Sequence, residues 1–491
     1  MILVPERLYI YLIVGIIIGL VIGVIIGYLA APPKAAPGVT TTVTTTVTKP
    51  PAVKEVTMCY PTWWADYWYW KEVLIPEFEG YMARQGKYVK IKIVEYPSPD
   101  EPYRDKLITD MKAGTAPDIV LIDSFWVPAL ATAGYLLDIT DLVEKWDDWK
   151  EFYDSMKAMS GWGGRIYSVV LSTDVRPLYY RKDIFIAAGI IKPGEKWVPK
   201  SLDEILDVAR KIKAWAEKEG YEIYPIALKA GVLGGEATTM QGFYMVLLAY
   251  GGRLYDFKTG KWIAKSTPLL KTLEFYYKIY IEEKLSVPPE FWLTGKPIDK
   301  AHELLRDGKL AIFCTWDGVW FDTANPAHRW YITKNFKGES ATRDEVLDYT
   351  IMPGPEGKPA TISGGWAIAI YAKAKERGTV DIAWEFIKFV MSKKAWIRRW
   401  IIFGGGLPPR KDVPEDPLYK GRVDEYTLWR VKNLLPYTTF RPGLPEYMKV
   451  SELVQKATEK ILRGEKPEDV LEWYKSELTR IVGPDKVEEL P

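Results

Sequence analysis

The sequence predicts an α/β fold in two lobes, preceded by a transmembrane helix. Three observations lead there. At 491 residues the chain exceeds one ordinary compact domain. Apolar strand-like runs alternate with helical stretches after residue 53, the pattern of an open α/β sheet. From Leu8 to Pro33 no residue is charged, and such a run crosses a hydrocarbon core about 30 Å thick.

The apolar run is longer than a signal-peptide core, which favours an uncleaved anchor; Ala30-Ala31 leaves cleavage open as the alternative. Gly15, Gly19, Gly23 and Gly27 recur every fourth residue, a stripe suited to helix–helix self-association in the lipid bilayer. Residues 34–53 follow, rich in Pro and Thr with Thr40–Thr48 at their centre, and read as an extended stalk open to O-glycosylation. Anchor (1–33) and stalk together place the remaining chain outside the cytoplasm, at the cell membrane.

In the body, Val53–Tyr60 reads as a first strand, broken by Pro61, with a helix running to about Phe78. Tyr88–Tyr96 alternates as a second strand, and Tyr103–Ala113 is a helix closed by Gly114. Asp118–Asp123 is an apolar run suited to a parallel strand covered on both faces. Ser201-Leu202-Asp203-Glu204 opens a capped helix that ends at Gly220.

Ligands of open α/β sheets bind beyond the carboxyl ends of the strands. That rule picks out Trp63, Trp64 and Asp66 after the first strand, with Asp123, Ser124 and Trp126 after the third. Rings beside carboxylates suit a carbohydrate, whose C–H faces stack while its hydroxyls donate.

Composition narrows the function. A formal net charge of +2, from 66 basic and 64 acidic residues, gives no field to recruit nucleic acid. Only two histidines are present, which removes most metal and acid–base chemistry; no metal site and no cofactor is expected. His302-Glu303 lacks the second histidine of a zinc-protease helix, and neither a nucleophile elbow nor a phosphate loop occurs. Asp66, Asp123, Asp174 and Asp317 are candidates for a glycosidase pair that sequence alone does not place, and a binding protein rather than an enzyme is expected. Cys59 and Cys314 sit in apolar runs and read as buried inert thiols. Three Asn and three Gln among abundant Lys, Glu and Pro point to work at high temperature.

Several stretches in order carry a resemblance to the extracellular solute-binding proteins typified by maltose-binding protein: Ala116–Leu121 leading to Ala133–Asp138, Gly164–Val169, Asp174–Asp183, Asp307–Ile312, Gly318-Val319-Trp320, Ser363–Ile368 and Ala383–Phe389. The resemblance spans nearly all of 55–482. It implies a periplasmic-binding-protein-like fold, 54–174 with 361–404 forming lobe one and 175–360 with 405–491 lobe two. The chain should cross near Thr173–Arg176, Ala360–Gly364 and Gly404–Leu407. It further implies a sugar held in the cleft and delivered to ABC permease subunits. Among site residues it suggests Asp174, Gln241, Tyr244, Trp316, Asp317, Trp320, Gly365, Trp366 and Arg441, with Trp366 entering a helix N-terminus. The maltose binder has charged residues where this chain has Trp63-Trp64, so its preference does not transfer. A non-sugar solute, or a surface structural role on the same fold, are the alternative readings.

Overall fold

A computed structural model describes residues 52–62, 64–96, 100–404 and 406–491. The expected anchor (1–33) and nearly all of the stalk lie outside the described residues, as does Trp63. No helix among the described residues is long and apolar enough to cross a membrane.

The strands that build the two main sheets are, in chain order, β1 (Lys54–Pro61), β2 (Val89–Tyr96), β3 (Ile119–Asp123), β4 (Ser168–Val170), β5 (Leu178–Arg181), β6 (Tyr224–Ala227), β7 (Leu310–Cys314), β8 (Leu347–Thr350), β9 (Ile362–Ser363), β10 (Trp366–Ile370) and β11 (Thr439–Phe440). Among the described residues one sheet has the order β2–β1–β3–β10–β4 and another β8–β5–β7–β6, while β9 and β11 pair apart from both. β1 runs parallel to β2 and β3, and β10 enters antiparallel between β3 and β4. β3 is buried from Ile119 to Ile122, as its unbroken apolar run requires of a strand covered on both faces.

The expected strands and helices stand within a few residues of their sequence limits. The helix Leu202–Glu219 starts where Ser201 accepts from the Glu204 amide and stops at Gly220, whose φ of 76° favours glycine. One expectation fails. Trp366 does not enter a helix; it begins β10. The sequence Trp-Ala-Ile-Ala-Ile fills the slot between two strands, where ladder hydrogen bonds are available on both sides.

Two short pairings join the sheet systems. Thr173 and Leu407 exchange backbone hydrogen bonds of 3.0 and 2.6 Å, and β9 lies parallel to β11. Beyond Leu407 the chain packs on earlier elements: Arg410 pairs with Asp148 at 2.7 Å, and the Tyr419 ring meets Trp400 at 4.5 Å.

Cys59 and Cys314 are free and buried. Burial pushes both thiols up to about 11, so neither reacts as a thiolate near neutral pH. A colorimetric thiol titration is expected to detect no reactive cysteine in the native protein and both after denaturation.

Candidate functional site

The carboxyl end of β3 and the start of β10 supply the first half of the site. Trp366 stands directly opposite Asp123 in the antiparallel register, so ring and carboxylate share one face of the sheet. Around Trp366 the rings of Trp64, Trp126 and Tyr103 pack edge-on at 4.9, 5.6 and 5.7 Å. Trp64 and Trp366 are half-buried, whereas Trp126 is enclosed and supports them. Gly365 accepts a hydrogen bond from the Ser124 amide at 2.9 Å. A Cβ on Gly365 would lie 2.3 Å from the Ser172 carbonyl, so no larger residue fits.

Asp123 is paired, not free. Arg441, just after β11, donates to it at 2.6 Å, and the same guanidinium lies 4.2 Å over the Phe125 ring. Its room comes from Gly364, where a Cβ would meet the guanidinium at 2.5 Å. The other side of Arg441 faces Glu236 at 3.9 Å, whose carboxylate accepts from Tyr447 at 2.5 Å and from Ser451. Asp123, Arg441 and Glu236 thus form one chain of charge from the first sheet to the short helix Gly235–Thr238. The cavity left beside it measures about 50 Å³, smaller than a sugar ring. A wider groove of about 720 Å³ lies between the helices Tyr447–Leu462 and Pro467–Val482, but its charged rim of Lys449, Glu452, Lys456 and Glu477 contains none of these groups.

Asp174 stands at the crossing between the sheets. It accepts from the Gly364 amide at 2.8 Å and pairs with buried Arg176 at 2.8 Å. Deeper, buried Lys229 donates to Gln241, the Cys314 carbonyl and Thr315 at 3.0, 3.1 and 2.8 Å. Gln241 reaches it from a π-helical turn, Thr239–Phe243, next to Gly242, where a Cβ would sit 2.4 Å from the Lys229 carbonyl. Trp316 is half-buried, its ring folded over Gly318, where a Cβ would lie 2.0 Å away.

The remaining predicted residues are engaged inside the protein. Asp66 accepts from Tyr60, Trp70 and Arg399 at 2.8, 3.0 and 2.5 Å. Buried Asp317 pairs with buried Arg430 at 2.5 Å. Trp320 is held by Arg343, 3.7 Å over its ring, and by Tyr349 and Tyr426 at 4.9 and 5.1 Å. Tyr244 is buried and its hydroxyl is engaged by the Leu254 backbone. With their polar atoms or ring faces occupied, these four have little left to offer a ligand. Sequence reading missed Glu236, Lys229, Arg176 and Tyr447. The Gly234-Gly235 pair before Glu236 was the one local hint of a close approach.

Burial pushes Glu236 up to about 7 from an ordinary 4.5 and Lys229 down to about 7 from 10.5. The folded chain therefore holds a proton on Glu236 between pH 4.5 and 7 that the unfolded chain has released. That contribution is complete below the lower value and is lost as pH rises through the upper one. Lys229 acts oppositely: the unfolded chain binds the extra proton between 7 and 10.5, so stability recovers as pH climbs through that window. Together they place a minimum near neutrality. Denaturant unfolding across pH is expected to lose its acid limb in Glu236→Gln and its alkaline limb in Lys229→Met.

The sequence profile of the bacterial extracellular solute-binding proteins matches residues 77–424. A binding protein of Brucella abortus is 25% identical over 371 residues, covering 74% of this chain and 80% of its own. The diacetylchitobiose binding protein of Streptomyces coelicolor is 27% identical over 331 residues, 66% of each chain. Among solved structures, maltose-bound MalE3 of T. maritima is 22% identical, with a TM-score of 0.69 over 88% of this chain and 100% of its own. A solute-binding protein of Thermotoga lettingae bound with alpha-D-tagatose is 23% identical, with a TM-score of 0.67 over the same 88% and 100%. The fold is the two-lobed α/β architecture of these neighbours, and the chain belongs to the bacterial extracellular solute-binding proteins, the receptors of ABC transporters.

Proposed function

We propose that the solute is a mono- or oligosaccharide, bound between the lobes and handed to the membrane permease. One observation carries this reading: a half-buried tryptophan stands directly opposite a carboxylate, Trp366 against Asp123, at the carboxyl end of β3. A ring face and an acceptor on one sheet face suit the two surfaces of a sugar. Trp64 and Trp366 stack the ligand from one lobe and Trp316 from the other, while Asp123, Ser124, Asp174 and Gln241 take its hydroxyls. The relatives named for diacetylchitobiose, maltose and tagatose support a carbohydrate. Asp123 and Asp174 already hold arginines and serve as acceptors rather than as an acid–base pair.

Arg441 donates to the Asp123 carboxylate that a sugar hydroxyl would use. Binding exchanges that contact for ligand and shifts the lobes toward the state the permease recognises. The lobes are 54–174 with 361–404 and 175–360 with 405–491, with the segment around Arg410 and Tyr419 leaning back onto the first. Residues 8–33 anchor the receptor in the bilayer, where the glycine stripe pairs helices, and the stalk spaces the receptor from the surface.

A thermal-shift screen against a sugar panel tests the reading. The right sugar raises the melting temperature in proportion to the logarithm of its concentration above Kd. No shift with any sugar, together with a shift from a polyol or amino acid, overturns it. Sugar cleavage by the purified protein would equally refute the receptor role.

A further inference from the structure

We propose that Arg441 is a proton-linked latch between the lobes: it ties Asp123 of the first to Glu236 of the second, and one proton enters the cluster when the cleft shuts. This rests on the lobe division in the reading above. Three contacts cross that division here. Arg441 reaches Asp123 through both terminal nitrogens, at 2.6 and 3.4 Å, and its guanidinium lies over the Phe125 ring. The Phe125 ring in turn meets Tyr447 edge-on at 5.5 Å. The space left between the two sides is about 50 Å³, so little water screens the charges.

The charges do not balance. One guanidinium faces two carboxylates, Asp123 at 2.6 Å and Glu236 at 3.9 Å. Two buried acids sharing one cation leave a negative charge unmatched, and a proton on the more distant acid removes it. The other groups that face Glu236 are Tyr447 and Ser451 of the helix Tyr447–Leu462, which donate to it, and Tyr244, within electrostatic reach. On the same helix Glu459 is turned to Arg463 at 2.7 Å. Beyond Asp123 stands Asp174, already held by Arg176. A neutral Glu236 finds an acceptor for its proton in Ser451, whose own hydroxyl passes on to Thr239 at 2.8 Å. Lys229, which also titrates near neutrality, has its three acceptors within the second lobe, so shutting the cleft does not touch it. Burial holds Glu236 at about 7 in this arrangement; parting the lobes removes Asp123 and Phe125 and returns it toward 4.5. The shut form is therefore favoured fully below the lower value and loses that advantage as pH rises through the upper one. A solute that takes the Asp123 contact leaves Arg441 to Glu236 alone and releases the proton.

Single-molecule fluorescence transfer across the cleft of the purified full-length chain, without solute, tests the latch. Dyes on Lys71→Cys and Thr294→Cys, exposed residues of the two lobes, attach selectively because Cys59 and Cys314 are buried. The ratio of shut to open molecules is expected to fall by up to about ten-fold per pH unit between 4.5 and 7, the slope of one proton. Glu236→Gln, which mimics the neutral acid, stays shut across that range. Arg441→Met opens at the acid end, and Arg441→Lys recovers part of the shut population. A ratio that ignores pH in the unsubstituted protein overturns the latch. So does a pH response that survives in Glu236→Gln, even should Arg441→Met fail to fold. No solute enters the measurement, so failure here leaves the sugar reading standing, and a sugar panel without a hit leaves the latch standing.

Discussion

Replacing Arg430 with Met is expected to lower the unfolding free energy by about 3–5 kcal/mol, the cost of stranding a buried carboxylate. Arg430 is wholly enclosed and Asp317 is 1% exposed. Their 2.5 Å contact ties the helix Glu425–Asn433 to the loop after β7. The same loop is gripped through the Asp317 carbonyl, which accepts from Tyr179 at 2.9 Å and Tyr426 at 3.0 Å. Arg430 also lies 4.7 Å from the Tyr426 ring centroid, so its loss loosens the aromatic cluster around Trp320. Guanidinium unfolding midpoints, at an unchanged denaturant slope, measure the loss. Asp317→Asn alongside Arg430→Met should restore a large part, because the penalty belongs to the unpaired charge. A double variant as unstable as the single one would show that the helix contact, and not the charge, carries the stability.

Trp366→Ala is expected to weaken sugar binding by about 2 kcal/mol, roughly 30-fold, the effect of removing a central aromatic anchor. Trp366 is the hub of its ring cluster, touching Trp64, Trp126 and Tyr103, and it shares a sheet face with Asp123. Its truncation removes a stacking surface and lets Trp64 tilt. Trp320→Ala should behave oppositely. That ring is packed between Arg343 and two tyrosines, so its loss costs about 3–5 kcal/mol of stability and leaves affinity nearly unchanged at temperatures where the variant is folded. Titrations paired with melting curves for both variants separate the roles. An affinity loss in Trp320→Ala equal to that in Trp366→Ala would move the binding surface to the other lobe.

Much of the fold was legible because burial leaves a periodic mark. The alternation of β2 and the unbroken run of β3 each imply how many faces are covered, and Ser201 and Gly220 mark a helix by their backbone chemistry. The placement of β10 was not legible, since Gly364-Gly365-Trp366 reads equally as a helix entrance until its neighbours on both sides are known. The site divides in the same way. Asp123 and Trp366 are singled out by strand ends and family likeness, and the register of β3 with β10 sets them opposite one another. Asp66 and Asp123 look alike in sequence, each an acid at or shortly after a strand end, and each is met by an arginine from far along the chain; what sets Asp66 apart is that it also takes the Tyr60 hydroxyl and the Trp70 indole. Glu236 and Lys229 carry no local mark, because what makes each notable is the protein closing over it.

The central position of β10 bears on biosynthesis. Residues 366–370 fill the space between β3 and β4, nearly two hundred residues after β4 has left the ribosome. Until they arrive, β3 keeps one open edge, and an exposed apolar edge invites pairing with other chains. The first layer therefore cannot lock early, which leaves a nascent polypeptide bound for export in a threadable condition. Prematurely terminated products ending before residue 366 should accumulate as aggregates rather than as half-molecules.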